Sequence, residues 1–277
     1  MKIENREVAG RHGPIPVRDY APEGRQAAKP MLVWLHGGGF ISGGLDQKES
    51  DSFARAIAET GRQVLAVDYH LVPRWPTLGK FRLTPSPNRY PVPVDDVVDV
   101  ICDSATGADK GFVLGGASAG ACLAVTATMR LRDQNRPLPK ALVLAYGAFH
   151  ANLPPIPAHI AARTSGLHKL TQFSPKIIHD MNLNYAGSEE ALATPGPFPA
   201  GGDLTGLPTS LFLNSDRDTL RASGEAFAQE LKAAGVSTTQ EVVADTPHGF
   251  FNLPKRDGFA EGIRHVVEFL TQVDKDS

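Results

Sequence analysis

Short apolar runs alternate with amphipathic stretches along most of the chain, and this rhythm leaves few folds open. Met31–His36 (MLVWLH), Gln63–Asp68 (QVLAVD), Phe112–Gly115, Ala141–Tyr146 (ALVLAY), Ser210–Asn214 and Gln240–Ala244 have the length and bounds of strands. Lys2–Val8 and Ile15–Tyr20, joined across Gly10–Pro14, read as an antiparallel pair that starts the sheet. Between the later strands lie helical stretches. Asp46–Thr60 puts Phe53, Ala54, Ile57 and Ala58 on one face, with Gly61 as a stop signal. Val94–Ser104 carries Asp95 and Asp96 near its amino end, where carboxylates suit the helix dipole. Ala119–Arg132, a stretch from about Thr219 to Ala234 and one from about Phe259 to Val273 complete the series. The pattern predicts a single α/β domain over 1–277, with a mostly parallel eight-stranded sheet and helices on both faces.

Two stretches break the rhythm. Residues 73–93 carry Pro73, Pro76, Pro85, Pro87, Pro91 and Pro93 and are expected to hold no regular structure. Residues from about 148 to 207 are proline-rich and irregular. They read as a cap-like insertion over one end of the sheet, with one or two short helices, and not as a separate domain.

Composition removes several classes of function. The 277 residues carry a formal net charge of -2, so nothing global steers the chain toward nucleic acid. No apolar run reaches the roughly 20 residues of a membrane span. The amino terminus, MKIENREVAG, is charged from its second residue and has no apolar signal core, which favours a cytoplasmic location. Cys102 and Cys122 make neither a disulfide framework nor a zinc motif, and Cys122 reads as a small buried residue packing its helix.

The chemistry gathers in glycine-rich turns. Gly116-Ala117-Ser118-Ala119-Gly120 follows one strand and opens a helix. A serine on such a turn needs small neighbours, because the backbone is crowded, and the helix amino terminus favours negative charge on its oxygen. Ser118 is the candidate nucleophile. His36-Gly37-Gly38-Gly39-Phe40 also ends a strand, and its glycines let backbone N–H groups come close to a substrate oxygen. With the N–H of Ala119 they would form an oxyanion hole, each donor worth roughly 3 kcal/mol in the transition state.

Of the nine histidines, His248 stands just after the last strand, in Pro247-His248-Gly249-Phe250, where a general base would overhang the strand ends. His36 is expected to brace the glycine loop and His265 to lie on the surface of the last helix. His150, His159, His168 and His179 lack the spacing of a compact metal motif and are read as residues of the insertion. In sheets that carry such a serine the order is Ser, Asp/Glu, His. Leu213–Arg221 then offers Asp216 and Asp218; Asp218, just before a helix, is preferred, with Asp216 behind it.

Together HGGGF at 36–40, DYHLVP at 68–73, GASAG at 116–120, DTLRASGEAFA at 218–228 and HGF at 248–250 resemble the hormone-sensitive-lipase-like carboxylesterases, which have the α/β-hydrolase fold. The resemblance covers nearly the whole chain. The family pattern Asp-x-Leu-Arg-x-x-Gly falls on Asp218, Leu220, Arg221 and Gly224 and decides between the two aspartates. It also assigns the oxyanion N–H groups to Gly38, Gly39 and Ala119. Phe40, Trp75 and Phe250 are expected to contact substrate. Three departures stand out. Ala117 replaces the usual aspartate before the serine. The chain starts almost directly at the first hairpin, so the amino-terminal half of the usual cap is expected to be missing. The 73–93 stretch is longer than in the family, and Trp75, Phe81 and Tyr90 are expected to line the acyl or alcohol pocket in its place.

The resemblance implies hydrolysis of short-chain acyl esters by a Ser118–His248–Asp218 acyl-enzyme mechanism, with no metal or organic cofactor. A specialised deacetylase of a sugar, drug or natural product uses the same triad. Acyl transfer, amidase and lactonase chemistry share every residue as well. A non-catalytic ligand-binding role is disfavoured because Ser118, Asp218 and His248 are all present. Related esterases are often dimers, which leaves a homodimer open.

Overall fold

In the computed structural model, which describes residues 1–23, 29–74, 81–104 and 111–275, the alternating runs become one eight-stranded sheet. The strands are β1 (Lys2–Gly10), β2 (Gly13–Ala21), β3 (Met31–Leu35), β4 (Val64–Val67), β5 (Phe112–Ala117), β6 (Leu142–Ala145), β7 (Ser210–Arg217) and β8 (Thr238–Pro247). Their order is β1-β2-β4-β3-β5-β6-β7-β8; β2 runs antiparallel to β1 and β4, and the rest are parallel. The chain steps outward from β3 to β4, then returns to place β5 on the other side of β3. Crevices form at such switch points, beyond the carboxyl ends of the strands. The register pairs Leu35 with Gly116, so the His36 loop and the Ser118 turn leave the sheet side by side.

The strand period sorts the core into two layers. Val33, Leu35 and Leu114 face one layer, and Leu32, Trp34 and Val113 face the other. The first layer is covered by α2 (Val92–Ser104), α3 (Ala119–Asp133) and α7 (Arg221–Ala233), the second by α1 (Lys48–Glu59) and α8 (Asp257–Lys275). In α1 the expected face, Phe53, Ala54, Ile57 and Ala58, is buried, and Phe53 stacks on Trp34 at 3.8 Å.

The irregular stretches hold more structure than the prolines suggest. Helix α2 begins at Val92, inside the stretch expected to be irregular. Pro93 sits in its first turn, where the missing N–H would have had no helical partner. Residues 148–207 contain α4 (Ala158–Arg163), a 3-10 turn at Gly166–Thr171, α5 (Pro175–Ala186) and α6 (Glu189–Leu192). The twelve residues of α5 carry ordinary boundary signals: Ser174 accepts the Ile177 N–H, Pro175 opens the helix, and Gly187 closes it at φ 93°. No described helix is long and apolar enough to cross a membrane.

Candidate active site

Five adjacent strands deliver the site at their carboxyl ends. Ser118 follows β5 directly and takes φ 52°, ψ -115°, a strained conformation held by its own N–H, which donates to the Ala145 carbonyl at 2.8 Å. The turn admits no bulk. A Cβ on Gly120 would lie 2.3 Å from the Leu35 carbonyl oxygen, so α3 crosses the end of β3 at glycine distance. The strain aims the hydroxyl out of the sheet toward the loop after β8.

There His248 Nε2 lies 3.0 Å from Ser118 Oγ, and His248 Nδ1 lies 2.7 Å from Asp218 Oδ2. Asp218 is buried, and its other oxygen accepts the Leu220 N–H at 2.9 Å. Burial pulls the imidazole pKa down. The Asp218 charge and hydrogen bond, with a further contribution from the Glu49 carboxylate, outweigh it and leave the pKa above 6.5. Phe173 and Tyr146 meet the ring edge-on at 5.1 and 5.2 Å.

Gly38 and Gly39, at φ 115° and 62°, turn the loop after β3 across the serine. Among the described residues no protein acceptor takes their N–H groups, and Ala119 begins α3, where amides have no helical partner. Gly38 and Gly39 line the same cavity as Ser118. His36 braces this loop: Nδ1 lies 2.7 Å from the Gly37 carbonyl, and its ring stacks on Tyr69 at 4.3 Å.

The serine opens onto a cavity of about 500 Å³. Ile41, Phe173, Ile177, Met181, Leu220 and Leu253 give it an apolar wall, and Gln47, Glu49 and Asn252 add polar groups on the α1 side. Several expected contacts are absent from this wall. Phe40 is 1% exposed and stacks on Tyr185 at 3.9 Å, behind the loop whose turn at φ 65° points its ring into the core. Phe250, also 1% exposed, packs beneath His248 on Tyr146 and Phe251. Trp75 lies outside the described residues. Neither Phe81 nor Tyr90 lines the cavity; Tyr90 meets Tyr185 at 6.1 Å and faces Arg130, so this stretch braces α5 instead. Arg89 reinforces that brace by donating to the Asn184 side chain at 2.6 Å.

Five further histidines meet polar neighbours. His150 lies 2.8 Å from both Ser223 Oγ and Glu230 Oε1, and His159 lies 2.9 Å from Glu225. His168 contacts Arg217, and His179 contacts Asn152. His265 is half-buried between Glu241 and Glu261, not on the surface, because one side of α8 packs on β8. Among the described residues no cluster of three His, Cys, Asp or Glu could hold a metal. Burial pushes the Cys122 thiol pKa well up, which keeps it an inert packing group.

The family model described as the alpha/beta hydrolase fold matches residues 32–252. The chain belongs to the α/β-hydrolase family. The carboxylic ester hydrolase LipN of Mycobacterium tuberculosis is 30% identical over 98% of this chain and 70% of its own length. An esterase from Pyrobaculum calidifontis superposes with a TM-score of 0.81 at 26% identity, over 99% of this chain and 85% of that one. An esterase of the bacterial hormone-sensitive lipase family superposes with a TM-score of 0.77 at 26% identity, over 98% of this chain and 84% of that one. Within the α/β-hydrolases the chain groups with the hormone-sensitive-lipase-like carboxylesterases.

The part of this α/β-hydrolase site that sequence reasoning missed is its wall. Phe173, Ile177 and Met181 come from the insertion and its α5, whose boundary signals were readable but whose direction was not. Glu49 was also missed, since an acidic residue in the first turn of a helix is ordinary dipole chemistry. Only the fold shows that Glu49 is buried, with Gly37 and Tyr146 against its carboxylate.

Proposed function

We propose that this chain hydrolyses short-chain carboxylic esters through an acyl-enzyme on Ser118. The observation that carries the proposal is the continuous line Ser118–His248–Asp218, with contacts of 3.0 and 2.7 Å, in the cavity that Gly38 and Gly39 also line. In this reading His248 takes the hydroxyl proton as Ser118 Oγ attacks the ester carbonyl. The oxyanion forms against the amides of Gly38, Gly39 and Ala119. His248 then protonates the leaving alcohol, and a water deprotonated by the same imidazole releases the acid. Asp218 fixes the Nδ1–H tautomer and stabilises the imidazolium.

Two features of the cavity support a small, neutral substrate. Its volume of about 500 Å³ sits in the lower half of the usual range for ligand pockets, roughly 300–1,000 Å³. Its described lining has a carboxylate, Glu49, and no Lys or Arg to receive an anionic acyl group. The base must be neutral to act, and its pKa is raised, so kcat/KM falls as the pH drops through a value above 6.5.

The test is hydrolysis of nitrophenyl esters from acetate to palmitate by the wild type and Ser118→Ala. The expected result is best turnover from acetate to butyrate and a loss of several orders of magnitude in the variant. Equal activity in the two proteins overturns the assignment of Ser118, and best turnover on palmitate overturns the short-chain reading.

A further inference from the structure

Glu49 is a buried carboxylate, 2% exposed, in the first turn of α1. Neutral donors hold it. Oε1 accepts the Gly37 N–H and the Gln47 side-chain amide, each at 2.8 Å, and Oε2 accepts the Tyr146 hydroxyl at 2.9 Å. Among the described residues Glu49 makes no ion pair. A buried charge without a counter-ion is costly and is usually compensated. Here a cation arises in the same cavity, across the Tyr146 ring, when His248 takes the Ser118 proton.

The contacts of Glu49 reach both halves of the machinery. Gly37 leads into the loop that carries the Gly38 and Gly39 amides, and a Cβ there would lie 2.5 Å from Glu49 Oε1 and 3.0 Å from the Ala117 carbonyl oxygen, so a side chain at 37 would push the carboxylate aside. Tyr146, at the end of β6, turns its ring edge to His248 and stays a neutral donor, because burial and the nearby Glu49 charge hold its pKa well above 10. The Glu49 N–H donates to Asn252 Oδ1 at 3.2 Å, in the turn just after His248. Asp218 from the β7–α7 turn, Glu49 from α1 and the Tyr146 phenol from β6 are the titratable groups that face the imidazole.

We propose that Glu49 is a positioning residue for the hydrolysis: it ties the oxyanion loop to the His248 turn and supplies a second negative charge for the imidazolium. The inference rests on the Ser118 acyl-enzyme reading. Its test is the pH profile of kcat and KM for nitrophenyl butyrate with Glu49→Gln, Ser118→Ala and the wild type together. Glu49→Gln keeps the shape and removes the charge. The expected result is a kcat lower by roughly ten- to a hundredfold, KM within about twofold, and an acid limb moved to lower pH by about half a unit or more. A merely structural glutamate would lower activity without moving the acid limb, and that outcome overturns the proposal. So does a profile that superimposes on the wild type while Ser118→Ala is inactive. Activity retained in Ser118→Ala sinks the acyl-enzyme reading itself. Should Glu49→Gln fail to fold, Glu49→Asp decides: a lower kcat with the acid limb at its wild-type position is expected, and wild-type kcat overturns the proposal.

Discussion

The carboxyl edge of the sheet and the insertion that walls the cavity are held by different means. The edge hangs Gly38, Ser118, Tyr146, Asp218 and His248 from five neighbouring strands, and β3, β5 and β6 are buried along their whole length. Their positions are set by backbone ladders and apolar packing. Residues 148–207 add side-chain ties to that frame. His150 bridges Ser223 and Glu230, Arg163 pairs with Asp216 and Asp245, Gln172 accepts the Thr219 N–H, and Asn184 meets Arg89. The difference teaches where each property resides. In the proposed mechanism reaction geometry belongs to the ladder, which tolerates little displacement, and the insertion adds Phe173, Ile177 and Met181 to the wall that shapes the substrate site. Perturbing the edge should therefore lower kcat, and perturbing the insertion should redistribute substrate preference.

The sharpest way to break this contrast is a pair of aspartates two residues apart. Asp218 touches His248 Nδ1, whereas Asp216 accepts the Asp245 N–H at 3.0 Å and faces Arg163 and Arg221. Asp218→Asn should lower kcat about 10⁴-fold, since an amide cannot hold the correct histidine tautomer. Asp216→Asn keeps that contact and should cost less than about tenfold. Comparable losses in the two variants would mean that the insertion's ion pairs, and not the ladder, set the histidine.

That pair also marks how far the sequence was legible. The order of strands and helices follows from periodicity, because a buried parallel strand and an amphipathic helix leave different spacings of Val, Leu and Ala. The turns around Ser118 and His36 follow from glycine, since only small residues fit where α3 crosses β3. The place just before a helix favoured Asp218 over Asp216, and the family pattern decided between two carboxylates that share one turn. The cavity wall was illegible for another reason. Phe40 and Phe250 stand in the motifs but turn into the core, the half-buried Tyr90 packs on Tyr185, and part of the wall comes from Phe173, Ile177 and Met181, far from the motifs along the chain. Side-chain direction in irregular backbone has no period to read.

A smaller effect should sharpen the comparison from the insertion's side. Met181 on α5 lies over the oxyanion loop, its Sδ 2.7 Å from where a Cβ on Gly39 would stand. Met181→Ala opens the wall without touching the triad. The ratio of kcat/KM for nitrophenyl octanoate to that for acetate should rise about tenfold or more, the scale on which a pocket distinguishes a single methylene. Turnover of the acetate itself should stay within about threefold. A uniform fall on every chain length would place Met181 in the support of the oxyanion loop and blur the division between edge and insertion.

The smallest effect is expected at the ties themselves. Arg163 donates from Nε to both oxygens of the buried Asp216 at 3.0 Å, which Arg221 also faces, and lies 2.7 Å from Asp245 in a pair largely open to water. Such pairs contribute little and are screened by salt. Arg163→Ala should change kcat/KM on acetate and butyrate by less than about twofold at physiological ionic strength, and the gap between variant and wild type should narrow further in 1 M salt. The apolar contact of Ile178 with Leu220 would still seat α5 against the α7 end of the sheet. A loss of tenfold or more, abolished by salt in the wild type as well, would show that surface charge and not packing holds the wall in place. The insertion would then be a salt-sensitive part of the machinery, and the contrast drawn between it and the sheet would fail.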